Sequence, residues 1–151
     1  MPIWDVRRNE ETMLNIKDLW VQYGTAAAIR GISMTAEEGE IMSLVGGNGA
    51  GKTTILRTIS GLKKLTCGEI WFRDQRIDGL PSYKIVGLGV AHCPEGRRLF
   101  NSMNVIDNLA LGAFLRKDKN KIAEDLENVY GHFPVLKDRT EQLAGSLSGG
   151  E

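Results

Sequence analysis

Residues 46–54 constrain this chain more than any other stretch. They read Gly46-Gly47-Asn48-Gly49-Ala50-Gly51-Lys52-Thr53-Thr54 and satisfy the spacing G-x-x-x-x-G-K-[ST]. Each position has a mechanical task. Glycines remove the Cβ atoms that would hold a polyphosphate away from the backbone, and they reach dihedrals closed to other residues. Successive N–H groups can then turn inward as an anion nest. Lys52 adds a cation for the β- and γ-phosphates, and the Thr53 hydroxyl is placed to coordinate Mg²⁺.

The flanks agree with that reading. Ile41-Met42-Ser43-Leu44-Val45 is a short apolar run of buried-strand type. After the loop, Ile55, Leu56 and Ile59 share one helical face, and Gly61 suits a C-terminal cap. A strand, a glycine loop and a helix whose N-terminus faces an anion form a nucleotide phosphate site.

Alternation over residues 13–23 predicts a strand that Gly24 ends, and residues 27–37 predict a second. Glu38-Gly39-Glu40 is a turn, and residues 63–66 are a loop. A strand is expected over 68–74 and a short helix over 81–86, with Pro81 in its first turn. Residues 87–92 read as a short buried strand running into Pro94. Asn104 is a good N-cap for a helix over 105–112. Ile122, Leu126, Val129 and Phe133 form one apolar stripe at helical spacing, which predicts packing and not a ligand site. The class is α/β.

Bulk properties exclude some functions. Nineteen basic residues balance 19 acidic ones, so there is no electrostatic footprint for nucleic acid. Cys67 and Cys93 form no CxxC pair, and two buried thiols in a reducing compartment are expected. No apolar run has the length of a membrane span, and the N-terminus lacks a secretory apolar core. Residues 1–12 are polar and read as a flexible lead-in.

The far end carries Leu147-Ser148-Gly149-Gly150-Glu151. With the phosphate loop upstream and the intervening segments in order, residues 13–151 resemble the ATP-binding domain of ABC transporters, in which this pentapeptide is the signature. The resemblance implies a P-loop NTPase fold. It would have an N-terminal antiparallel β subdomain, part of a parallel core sheet and a helical subdomain over about 96–146. It also implies ATP and Mg²⁺ as cofactors. Tyr23 takes the place of the aromatic that stacks on adenine, a role that suits a ring face; otherwise it is an ordinary strand tyrosine. Glu95 stands where the family's Q-loop glutamine senses Mg²⁺ and the γ-phosphate. A carboxylate can bind a hard cation through oxygen but cannot donate when ionised.

Pro94-Glu95-Gly96-Arg97-Arg98-x-Phe100, Met103-Asn104-Val105-Ile106-Asp107-Asn108-Leu109 and Phe133-Pro134-x-Leu136-x-x-Arg139 narrow the resemblance. They are similar to the second ATPase subunit of bacterial branched-chain amino acid importers, with urea or short-amide importers as close relatives. Partners implied are a second ATP-binding subunit docked head to tail, two membrane permease subunits and, indirectly, a periplasmic binding protein. The implied location is the cytoplasmic face of the inner membrane. Arg97 and Arg98 read equally as contacts to the membrane subunits or as solvated arginines.

Ser148 and Glu151 have capping-box spacing for a helix start. In the family the Walker B aspartate, the catalytic glutamate and the switch histidine come later. The 151 residues are therefore expected to be an N-terminal portion lacking the C-terminal part of the core. Alone they would bind ATP weakly without hydrolysing it. A regulatory GTPase is disfavoured: Asn120-Lys121-Ile122-Ala123 has alanine where a guanine-reading carboxylate belongs. A translation or DNA-repair ATPase would be expected to carry a basic surface.

Overall fold

The computed structural model describes residues 12–96 and 98–148. The expected lead-in thus falls outside the described residues except for Thr12, which opens the first strand. The chain divides into two units, residues 1–92 and 93–151.

The first unit is built on an antiparallel sheet. Strands β1 (Thr12–Tyr23) and β2 (Ala26–Glu37) form a long hairpin, joined by β3 (Cys67–Phe72) and the short β4 (Gln75–Arg76). The order is β2-β1-β3-β4. Helices α1 (Lys52–Ile59) and α2 (Ser82–Gly87) complete the unit.

In β1 the buried residues are Ile16, Leu19 and Val21, which break strict alternation. A bulge at Asp18, with φ of 45°, absorbs the extra residue and returns the apolar side chains to one face. Register shifts against both β2 and β3 mark the place. Asp18 is fixed there: its amide donates to Ser33 Oγ at 2.9 Å, and its Oδ1 accepts from Trp20 Nε1 at 2.9 Å. Gly68 of β3 makes room for the bulge. A Cβ on it would lie 2.4 Å from the Asp18 carbonyl oxygen.

Ile16, Leu19, Val21, Ile29, Ile55, Ile70, Ile77 and Ile85 form the core, drawn from β1, β2, β3, both helices and the segment after β4. Each such side chain contributes about 1.5–3 kcal/mol by leaving water. Ile55 is the apolar anchor of α1. Leu56, expected on the same face, is 46% exposed, and Thr58 is buried instead. Its hydroxyl donates to the Thr54 carbonyl at 2.7 Å, which satisfies the polar group inside the helix. Helix α1 ends as expected at Gly61: the Gly61 and Leu62 amides return to the carbonyls of Thr58 and Arg57.

The expected parallel core strands are not formed. Residues 41–45 have no regular structure, and Ile41 and Val45 are 96% and 94% exposed. Only Leu44 packs against the core. Residues 87–92 end α2 and continue as a turn and an unpaired segment. A parallel strand needs partners on its flanks, and every described strand in the sheet is paired antiparallel. The two thiols are also corrected: Cys67 and Cys93 are both exposed. Cys67 starts β3 at the sheet's end, and Cys93 lies in an irregular segment, so neither reaches a core.

The second unit is helical: α3 (Val105–Gly112), α4 (Lys119–His132), α5 (Pro134–Asp138) and a 3₁₀ turn (Ala144–Ser146). Asn104 caps α3 by accepting from the Asp107 amide at 2.8 Å. Ile122, Leu126 and Val129 of α4 line a groove with Ile106 and Leu109 of α3. Phe133 leaves the stripe and is exposed. The following Pro134 disfavours helical geometry at residue 133, so α4 stops at His132 and Tyr130 is the buried residue instead.

Candidate nucleotide-binding site

Helix α1 begins at the lysine of the glycine loop. Gly51 is its N-cap residue, with φ of 90° in the left-handed region and no side-chain cap. Only glycine fits: a Cβ would lie 2.3 Å from Ile29 Cδ1 and 3.0 Å from the Ala28 carbonyl oxygen. Strand β2 thus presses directly on the loop. The first-turn amides of Lys52, Thr53 and Thr54 are the helix's orphan donors, at the positive end of its dipole.

The Lys52 side chain bends back over the loop. Its Nζ donates to the carbonyls of Gly46 at 2.7 Å and Gly47 at 2.8 Å. The Ala50 amide closes a turn onto the Gly47 carbonyl at 3.2 Å. Gly46, Gly47, Asn48, Gly49, Ala50, Gly51 and Lys52 therefore form one closed loop, with an ammonium at its centre and helix amides at its exit. Thr53 is exposed at the helix start, and Thr54 is half-buried. The donor set suits a polyphosphate. Among the described residues there is no cluster of three or more His, Cys, Asp or Glu for a metal.

Tyr23 ends β1 opposite Ala26 and is 46% exposed. Lys63 Nζ sits 4.1 Å from its ring centroid. Sequence reasoning did not single out Lys63, because a lone lysine in a loop carries no signal. It also missed Ser60 and His92. The Ser60 hydroxyl donates to the Leu56 carbonyl at 2.7 Å and lies 2.9 Å from His92 Nδ1.

Glu95 and the signature belong to the second unit. Glu95 is exposed in a bend, and its carbonyl accepts from Arg98 Nε at 3.4 Å. Leu147 is half-buried, its amide donating to the Ala144 carbonyl at 3.3 Å, and Ser148 is exposed. Gly149, Gly150, Glu151 and Arg97 lie outside the described residues. The backbone leading to the signature is laced to the segment after Glu95. Gly145 donates to Asn101, Ala144 to Met103 and Val105 to Gln142.

A glycine loop closed on a lysine at a helix N-terminus defines a P-loop nucleotide-binding protein. Residues 29–151 match the ABC transporter family, and the chain belongs to that family. It is 40% identical over 139 residues to the high-affinity branched-chain amino acid transport ATP-binding protein BraG of Pseudomonas aeruginosa, covering 92% of this chain and 59% of that protein. It is 32% identical over 135 residues to the probable branched-chain amino acid transport ATP-binding protein LivF of Archaeoglobus fulgidus, covering 89% of this chain and 54% of that protein. Among solved structures, an ATP-binding subunit of an ABC transporter aligns with a TM-score of 0.79 at 26% identity, over 92% of this chain and 57% of the other. An ATP-binding cassette at 22% identity, covering 92% of this chain and 60% of its own, shares the fold with a TM-score of 0.75. The chain thus spans less than two thirds of the length of these relatives. No helix among the described residues is long and apolar enough to cross a membrane.

Proposed function

We propose that this chain is the nucleotide-gripping portion of an ATP-hydrolysing subunit that energises import of branched-chain amino acids. The observation that carries the nucleotide reading is Lys52 Nζ held between the Gly46 and Gly47 carbonyls at the start of α1. The names of the relatives carry the cargo.

Phosphoryl transfer asks a protein mainly for positioning and charge stabilisation. Bound ATP with Mg²⁺ would supply the transferable γ-phosphoryl group. Lys52, now on the loop carbonyls, would reach the phosphate oxygens instead and offset their charge. The first-turn amides of Lys52, Thr53 and Thr54 would orient the phosphates, and the Thr53 hydroxyl would hold the cation. Tyr23 offers its ring to adenine. Within the signature Leu147-Ser148-Gly149-Gly150-Glu151, Ser148 and the amides of Gly149 and Gly150 would contact nucleotide held by a second ATP-binding subunit in a head-to-tail pair. That pair would drive two membrane permease subunits at the cytoplasmic face of the inner membrane, fed by a periplasmic binding protein.

The test is uptake of labelled leucine, isoleucine and valine by cells lacking the gene, complemented with the full-length subunit, either wild type or Lys52→Ala. Wild type should restore uptake and the variant should not. Intact leucine uptake with loss of urea or short-amide uptake would overturn the cargo assignment.

A further inference from the structure

We propose that Lys63 is a positioning residue for the nucleotide base, acting through the Tyr23 ring. The inference rests on the reading of Tyr23 as the adenine-stacking residue and extends it. Lys63 Nζ lies 4.1 Å from the ring centroid, well inside the range of a cation–π contact.

The loop that carries Lys63 is fastened on both sides. The Leu62 and Lys63 amides donate to the Arg57 carbonyl at 2.8 and 3.1 Å, tying the loop to the C-terminus of α1. The Thr66 amide donates to the Trp20 carbonyl at 2.7 Å, tying it to β1 three residues before Tyr23. Lys63 is half-buried between these anchors, and the α1 C-terminus favours a cation there.

Two consequences follow for a base that stacks on Tyr23. The ammonium restrains the ring, so less side-chain freedom is lost on binding. It also draws π density toward itself, which leaves the far face a better partner for an electron-rich purine. Tyr23 remains 46% exposed with Lys63 in place, so the ring still has surface to offer. Helix α1 starts at the phosphate loop and ends at the Lys63 anchor, so a single helix ties together the supports for phosphate and base.

The test is a set of affinities for ATP and for inorganic tripolyphosphate, which has no base. The proteins are wild type, Lys63→Met, Lys63→Arg, Tyr23→Ala and the Tyr23→Ala/Lys63→Met double variant. Lys63→Met should weaken ATP by up to about fivefold, a ceiling set by the worth of an exposed cation–π contact. It should leave tripolyphosphate unchanged and have no further effect once Tyr23 is gone. Lys63→Arg should retain ATP affinity. Equal loss for tripolyphosphate would make Lys63 a phosphate contact and overturn the proposal. Tighter ATP binding by Lys63→Met would mean that Lys63 covers the face the base needs, and would overturn it too. Tyr23→Ala with undiminished ATP affinity would sink the stacking reading itself. A clear Tyr23 effect without coupling to Lys63 sinks only the present inference.

Discussion

The side chain of Asn108 grips Phe100 from both ends: Oδ1 accepts the Phe100 amide at 3.0 Å, and Nδ2 donates to its carbonyl at 3.2 Å. Nδ2 also donates to the Asn104 carbonyl at 2.9 Å. One amide on α3 therefore staples the segment that follows Glu95. Asn108→Leu keeps the volume but leaves the Phe100 amide without its partner, while the Phe100 and Asn104 carbonyls keep the Met103 and Asn108 amides. It should cost about 0.5–1.5 kcal/mol, the net worth of a typical intramolecular hydrogen bond. Chemical denaturation monitored in the helical unit reads this directly, and an unchanged midpoint would contradict the staple.

Gly51 is placed where no other residue fits. Gly51→Ala incurs the left-handed penalty of about 1–2 kcal/mol and overpacking against Ile29 of about 1–3 kcal/mol. The expected result is a lower unfolding midpoint together with loss of ATP binding. Ile29→Val removes the methyl nearest the new Cβ. Combined with Gly51→Ala, it should recover part of the stability while ATP binding stays impaired by the left-handed strain.

Asp78 gives the first unit an acid-sensitive tie. Burial works to raise its pKa. That is outweighed by the side-chain bond from Arg76 at 2.9 Å, the Ile70 amide at 3.0 Å and the Arg76 charge, so the net shift is downward. A carboxylate depressed on folding stabilises the native state above its unfolded pKa, about 4. That stabilisation is lost as the pH falls through the lower folded value. Asp78→Asn should therefore lower stability at neutral pH and flatten its decline below about pH 4. A variant as acid-sensitive as wild type would count against the assignment.

The Ser60–His92 contact fixes a proton. The Ser60 hydroxyl gives its hydrogen to the Leu56 carbonyl, so the imidazole must donate from Nδ1. Long-range ¹H–¹⁵N NMR of the neutral ring should show the Nδ1–H tautomer, the minor form for free histidine. Ser60→Ala should release this preference; an Nε2–H ring in wild type would contradict the contact.

What was legible in the sequence follows from what period and spacing encode. The β1–β2 hairpin, α3 with its Asn104 cap and the Gly61 cap were readable because each is specified locally. The Asp18 bulge was not, since a non-glycine residue with positive φ leaves no compositional mark. Residues 41–45 have a strand's composition, but a strand exists only with partners, and a window of apolar residues says nothing of those. Leu56 and Thr58 exchanged places because a threonine can satisfy its hydroxyl within its own helix. The glycine loop was readable residue by residue because its chemistry is its spacing. Lys63 was not, because it meets Tyr23 only through the return of the chain after α1.

The central claim is that Lys52 at the head of α1 grips the phosphates of a nucleotide. It is tested most directly by measuring Mg²⁺-ATP affinity for wild type and Lys52→Ala by calorimetry, with circular dichroism to verify the fold. Losing charge-assisted bonds to phosphate should weaken binding by about 10- to 100-fold with an unchanged spectrum. A folded Lys52→Ala protein that binds ATP as tightly as wild type would contradict the account.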